Sequence, residues 1–99
     1  MVNHIVLWNL KEELSEQEKK EAALKIKSKL EAVAQKVQGV ISLKVEINEM
    51  ESSNKDVALI SKFESKKALE AYQISPEHIE AGSYIKTVTT GRSCFDFCE

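Results

Sequence analysis

The chain has 99 residues with a formal net charge of −2, and it is 42% hydrophobic and 30% charged. This length suits one domain, and we expect a single domain over residues 1–99. Both signs of charge are mixed along the chain, which argues against the basic stripe that a nucleic-acid partner would require. The apolar runs are far shorter than the roughly 18 residues of a membrane helix, and the N-terminus lacks the pattern of a signal peptide. We therefore expect a cytoplasmic protein without nucleic-acid or membrane partners.

The first predicted element is a strand over residues 2–10. Its even positions are mostly apolar, and Ile5 and Leu7 between them are apolar as well. A strand that is apolar on both faces is typical of a central strand covered on both sides. A single layer of helices would cover only one of these faces.

The second element is a helix that begins after Ser15. Ser15 followed by Glu18 forms a capping-box pattern. Apolar residues then recur every three or four positions on one stripe: Ala22, Ala23, Ile26, Leu30, Val33, Ala34 and Val37. Gly39 is predicted to end the helix.

Two strands joined by a polar link come next. Residues 40–48 alternate, and the pattern places Ile41, Leu43, Val45 and Ile47 on one face of a half-exposed outer strand. The polar residues 49–55 favour a turn. Residues 57–63 are predicted to form a third strand in a hairpin with the second.

A helix broken at Pro76 follows, and a closing strand over residues 92–98 completes the chain. Ser65 can cap a helix that contains Leu69 and Tyr72. Ser75 followed by Pro76 is both a break and a start signal, an N-cap with proline in the first helical position.

The order of these elements predicts an α+β fold of the ferredoxin-like β-α-β-β-α-β kind. Such a fold is a four-stranded antiparallel sheet with the helices on one face. The second apolar face of the first strand then needs another cover, most simply the same sheet of a second copy. We therefore expect a homodimer formed through the sheet face.

The two cysteines, Cys94 and Cys98, lie on one face of the closing strand, about 13 Å apart at about 3.3 Å per residue. A disulfide requires Cα atoms within about 7 Å, so they cannot pair with each other. Two cysteines without nearby histidines are also too few for a zinc site. We expect two free, buried or half-buried thiols, with an intersubunit disulfide as the alternative, and no metal or cofactor.

The segment Tyr72-Gln73-Ile74-Ser75-Pro76-Glu77-His78, together with His4-x-Val6 and Phe63-Glu64-Ser65, resembles the stress-responsive A/B barrel domain. This family is also called the dimeric α/β barrel (Dabb) domain, and the resemblance covers essentially the whole chain. Ser75 stands where the family usually has a first histidine. The resemblance implies that two sheets face each other across a dimer and form a barrel with the helices outside.

The resemblance also implies a site. In plant polyketide cyclases of this family, a tyrosine and a histidine that match Tyr72 and His78 carry out acid–base chemistry in a cleft between helices and sheet. The positions that match His4 and Asp96 lie close to them. We expect the remaining wall of this pocket to include Val6 and Trp8.

Two functions remain open at this point. The leading hypothesis is a small dimeric protein of unproven activity that binds a hydrophobic small molecule in the cleft. The alternative is a polyketide-cyclase-like lyase, with His78 as the base and Tyr72 as the donor to an oxyanion; monooxygenase chemistry rests on fold likeness alone.

Each candidate residue also has a structural interpretation. Tyr72 could be a core residue with its hydroxyl at the rim, and His78 a hydrogen-bonded residue at a helix start. His4 could be a satisfied core histidine, and Asp96 could pair with Arg92 on the same strand face.

Overall fold

The computed structural model describes residues 1–99 and confirms the predicted order of elements. The long second helical segment is broken in two at Ser75, as the sequence predicted. The elements are β1 Val2–Leu10, α1 Glu16–Ala34, β2 Val40–Ile47, β3 Val57–Phe63, α2 Lys66–Ile74, α3 Pro76–Val88 and β4 Thr89–Cys98. None of the helices is long and apolar enough to span a membrane.

The four strands form one antiparallel sheet in the order β2-β3-β1-β4. β1 is therefore a central strand, as its two apolar faces predicted, and β2 and β4 are the edges. The helices pack on one face of this sheet. The fold is ferredoxin-like, in agreement with the sequence.

The core lies between the helices and the sheet. The even residues of β1 and the odd residues of β3 point towards the helices and are buried. α1 contributes its predicted stripe to the same core: Ala22, Ala23, Ile26, Leu30 and Val33 are all buried. Burial stabilises the fold by roughly 1.5–3 kcal/mol for each large apolar side chain, so this face holds the helices in place.

The opposite face of the sheet carries apolar side chains without a cover. Ile5 and Leu7 of β1 are only half-buried there. On the neighbouring β4, Phe95 is 66% exposed and Phe97 is 41% exposed. The two phenylalanine rings lie 5.9 Å apart, so they form one continuous apolar patch.

The predicted capping box at the start of α1 is present, but the helix ends earlier than expected. Glu18 N donates to Ser15 Oγ, and Ser15 N donates to the Glu18 carboxylate. The last helical residue is Ala34, and a turn runs to Gly39, whose φ is +89°. A Cβ on Gly39 would lie 2.7 Å from Ala68 Cβ, so glycine is needed there both for its φ and for the close approach of α2. Residues 35–38, which the sequence predicted to be helical, form the turn before Gly39.

One residue of β2 departs from the predicted alternation. The register with β3 shifts between Val40 and Ser42, so Ile41 is an extra residue in a β-bulge. Ile41 is 47% exposed as a result, whereas Val45 is buried. The prediction that Ile41 shares one face with Val45 was therefore wrong.

The prediction of buried or half-buried thiols was also wrong. Cys94 and Cys98 are both free and both exposed. The physical reason is their position on β4, the edge strand, where the helices leave the strand uncovered.

Candidate functional site

A cavity of about 410 Å³ lies between the helices and the sheet. Its apolar wall comes from both layers of the fold: Val6 and Trp8 of β1 and Leu59 of β3 in the sheet, and Leu30 and Ile85 of the helices. This volume falls within the range of about 300–1,000 Å³ typical of small-molecule sites. A groove of about 480 Å³ beside the β2–β3 link is larger, but mostly polar loop residues line it.

The short link between α2 and α3 aims His78 at this cavity. Ser75 Oγ donates to the carbonyl oxygen of Tyr72 over 2.8 Å and accepts from the backbone N–H of His78 over 3.2 Å. Pro76 occupies the first position of α3. Ser75 is thus the N-cap that the sequence predicted. Its hydrogen bonds fix the position of His78 in the first turn of α3.

His78 is half-buried and lines the cavity. Its Nδ1 lies 3.2 Å from the carbonyl oxygen of Gln73. A carbonyl oxygen only accepts, so Nδ1 carries the proton of the neutral ring and Nε2 keeps its lone pair. Burial lowers the pKa of His78 and outweighs the Gln73 hydrogen bond, while His4 and Arg92 lower it further by charge. The ring is therefore neutral at pH 7 and able to accept a proton or a hydrogen bond at Nε2.

Tyr72 packs its ring against that of His78. The side chain is fully buried, with its ring centroid 4.9 Å from that of Phe63 and 4.5 Å from that of His78. Its hydroxyl has no hydrogen-bond partner, and Tyr72 does not line the cavity. Burial raises the pKa of this hydroxyl to about 12. The hydroxyl is thus not at the rim, because α2 turns it inwards against β3.

His4 and Asp96 are joined across β1 and β4. The strand register pairs the two residues directly, and His4 Nδ1 lies 2.5 Å from Asp96 Oδ1. The carboxylate accepts, so Nδ1 carries the proton. His4 is only 2% exposed and lines the cavity, so it is a buried histidine with a satisfied Nδ1. Asp96 is hydrogen-bonded to His4, and it forms no ion pair with Arg92.

The same register adds a third side chain that sequence analysis missed. Cys94 Sγ lies 3.8 Å from His4 Nδ1 and 3.6 Å from Asp96 Oδ1. Nitrogen, sulfur and oxygen donors of this kind are those that zinc accepts, and these three are the residues that could hold a metal here. Burial and the neighbouring Asp96 raise the pKa of the Cys94 thiol, which favours its protonated form. The four-residue spacing of the cysteines gave no sign of this cluster, since His4 is distant in sequence.

The polar mouth of the cavity contains two cations that sequence analysis did not assign to the site. Lys86 of α3 and Arg92 of β4 both line the cavity, and both are exposed. Arg92 is the only arginine of the chain. Its place two residues before Cys94 and four before Asp96, on the same face of an alternating strand, is the signal that could have included it.

The predicted site residues thus fall into two groups. His4, Val6, Trp8 and His78 line one cavity. Asp96 reaches that cavity through its hydrogen bond to His4, whereas Tyr72 contacts it only through the ring of His78.

The β-α-β-β-α-β order, with one four-stranded antiparallel sheet and the helices on one face, defines the ferredoxin-like class. Within that class, the model of the stress responsive A/B barrel domain matches residues 2–99, and the chain belongs to this family. Comparison with curated proteins gave no match.

Solved structures agree with this assignment. A dimeric ferredoxin-like protein of unknown function from Bacteroides fragilis NCTC 9343 is 28% identical, with a TM-score of 0.91 over 97% of this chain and 93% of that one. A dimeric ferredoxin-like protein of unknown function from Thermobifida fusca YX is 17% identical, with a TM-score of 0.82 over 99% and 90% of the two chains. A hydroxynitrile lyase from Passiflora edulis is 16% identical, with a TM-score of 0.79 over 97% and 90%. At these two lower identities the likeness is one of fold.

Proposed function

We propose that this protein is a homodimer that binds a small, largely apolar molecule in the cavity between its helices and its sheet. The observation that carries the proposal is the combination of an apolar wall with the free Nε2 lone pair of His78. A ligand that buries its apolar body against Trp8 and Leu59 would present one polar group to this nitrogen. Sites of this composition are typical of small-molecule binding.

The homodimer part of the proposal rests on the open face of the sheet. Phe95 and Phe97 continue the half-buried Ile5 and Leu7 into one apolar surface that the chain itself leaves uncovered. Large exposed apolar patches mark association surfaces. The similar proteins from Bacteroides fragilis and Thermobifida fusca are both described as dimeric. A two-fold pairing of this face would produce the barrel after which the family is named.

A second candidate function, proton abstraction from a carbonyl compound, is favoured by the state of His78. A neutral imidazole with its lone pair directed away from Gln73 is a suitable general base. The Nδ1–H···O bond to Gln73 would also hold the ring in place during proton transfer. Tyr72 is less suited to the donor role predicted for it, because its hydroxyl is buried outside the cavity lining. In this lyase-like function, His78→Ala would abolish turnover and Tyr72→Phe would leave it nearly unchanged.

Gly82 offers a direct test of the binding proposal. It lies on α3, lines the cavity, and a Cβ added to it would meet no atom within 4 Å. Gly82→Leu should therefore fill the cavity without disturbing the backbone. Ser83→Leu adds similar bulk at the next, exposed position and serves as the matched control.

The experiment is a thermal-shift and native mass-spectrometry screen of small apolar carbonyl compounds against the wild type and both variants. Ligands that stabilise the wild type and Ser83→Leu but not Gly82→Leu would support the proposal. Equal stabilisation of all three proteins would place the ligand elsewhere and contradict it. Addition of ligand to the wild type should also change the fluorescence of Trp8, the only tryptophan of the chain.

A further inference from the structure

The charged side chains that line the cavity all have the same sign. Lys86 and Arg92 stand at its mouth, and no aspartate or glutamate is among the lining residues. Neither cation takes part in an ion pair. The two histidines of the lining add no negative charge. The lining of the cavity therefore combines two cations at the mouth with an apolar floor and contains no acidic side chain.

The carboxylate that could have neutralised Arg92 is occupied by another partner. Asp96 follows Arg92 on the same face of β4, but its Oδ1 is hydrogen-bonded to His4 Nδ1. The other neighbour of Arg92 on that face, Cys94, forms no ion pair with it. The guanidinium group is thus close to His78 and to the cavity without a fixed anion of its own.

We propose that the ligand carries an anionic oxygen group on an apolar body, and that Arg92, assisted by Lys86, binds this group at the mouth of the cavity. The inference rests on the proposed binding function and specifies its ligand class. The guanidinium group presents parallel N–H donors that match two oxygens of a carboxylate or of a phosphate ester. The apolar wall formed by Val6, Trp8 and Leu59 then accommodates the rest of the molecule.

Three probes with the same seven-carbon alkyl chain separate charge from apolar contact: octanoate, neutral octanamide and heptyl phosphate. Their alkyl chains are identical, so only the head group differs. Binding is measured by isothermal titration calorimetry and by the fluorescence of Trp8, which lies in the cavity wall. The proteins are the wild type, Arg92→Gln, Arg92→Lys and a control, Lys67→Gln, which removes one positive charge from an exposed position of α2 outside the cavity.

We expect octanoate to bind the wild type roughly tenfold or more tightly than octanamide, because a hydrogen bond to a charged group outweighs a neutral one. Arg92→Gln should remove this preference, and Arg92→Lys should retain part of it. Lys67→Gln should behave as the wild type. Tighter binding of heptyl phosphate than of octanoate would identify the anion as a phosphate ester, in agreement with the inference.

Equal affinity of the wild type for octanoate and octanamide would overturn the inference and leave the proposed binding function standing. An equal loss of affinity in Arg92→Gln and Lys67→Gln would also overturn it, since net charge alone would then explain the preference. If none of the probes bound, or if Gly82→Leu bound them as well as the wild type, both the inference and the cavity site would be refuted. These results distinguish a failure of the anion-binding inference from a failure of the proposed binding function.

Discussion

His4 and Asp96 are 92 positions apart in the chain, yet His4 Nδ1 lies 2.5 Å from Asp96 Oδ1. The contact joins the inner face of the central strand to the exposed edge strand. His4 is buried and Asp96 is 41% exposed at its side chain. The pair therefore fixes the orientation of a cavity-lining imidazole by means of a residue that remains in contact with solvent.

Asp96→Ala should destabilise the protein because it leaves the buried Nδ1–H of His4 without an acceptor. An unsatisfied buried donor costs about 1–3 kcal/mol. Asp96→Asn is the matched control, since its amide oxygen can still accept the hydrogen bond from His4. The free energy of unfolding should therefore fall clearly less in Asp96→Asn than in Asp96→Ala. Urea denaturation of both variants measures the two free energies of unfolding. Equal losses would show that charge, and not the hydrogen bond, maintains the contact.

The depressed pKa of His78 predicts a pH dependence of stability. The pKa of His78 in the folded protein lies below its usual value of 6.5, mainly because of burial. At pH values between the two pKa values the unfolded chain binds more protons than the folded one, so the free energy of unfolding falls as the pH drops. The contribution of the neutral His78 ring to the free energy of unfolding is fully present above about pH 6.5. It is lost as the pH falls towards the pKa of His78 in the folded protein.

NMR titration of the His78 ring should give a midpoint below 6.5. In His78→Gln, the unfolding free energy should depend less on pH in this window. Glu31, whose pKa is lowered by Lys27, contributes in a lower window, below its usual value of 4.5. A His78 midpoint at or above 6.5 would contradict the neutral ring on which its proposed role depends.

Tyr72→Phe should leave stability unchanged or raise it by up to about 1 kcal/mol, because it removes a buried hydroxyl that has no partner. Tyr72→Ala should cost about 3–5 kcal/mol, because it opens a cavity against Phe63 and His78. Thermal and urea unfolding measure both values. A loss above about 1 kcal/mol in Tyr72→Phe would mean that the hydroxyl has a hydrogen-bond partner after all.

Phe95→Glu should dissociate the proposed homodimer, because it introduces a charge into the centre of a sheet-to-sheet contact. Ile79→Glu is the matched control: Ile79 is 56% exposed, compared with 66% for Phe95, but it lies on α3, away from the open face. Light scattering after gel filtration should give a monomer mass for Phe95→Glu and a dimer mass for Ile79→Glu and the wild type. A wild-type monomer at micromolar concentration would refute the homodimer.

Local signals predicted most of the fold. The capping box at Ser15, the break at Ser75-Pro76 and the two apolar faces of β1 each depend on neighbouring residues, and each was confirmed. The errors have non-local causes. The bulge at Ile41 depends on the pairing of β2 with β3, and Gly39, which was predicted to end α1, instead closes the turn after it, where it approaches Ala68 of α2.

In the site, too, local patterns predicted some features, whereas others depend on contacts between distant parts of the chain. The family pattern pointed to His78, and the helix break explained how the chain could present it. The association of Cys94 with His4 and Asp96 depends on the register of two strands from opposite ends of the sequence, which no local pattern encodes. The position of Arg92 at the cavity mouth depends on the same register. The depth of the Tyr72 hydroxyl was unpredictable for a similar reason, since it depends on how closely α2 packs against β3.

The position of β1 in the sheet has a consequence for synthesis. This strand leaves the ribosome before its partners, yet it ends between β3 and β4, so both of its hydrogen-bonding edges stay unpaired until residues 57–63 and then 89–98 have emerged. Through most of translation, a strand that is apolar on both faces has no native strand beside it. Unpaired apolar strands associate readily with other chains. The nascent polypeptide is therefore most vulnerable to aggregation at the segment that later forms the floor of the cavity.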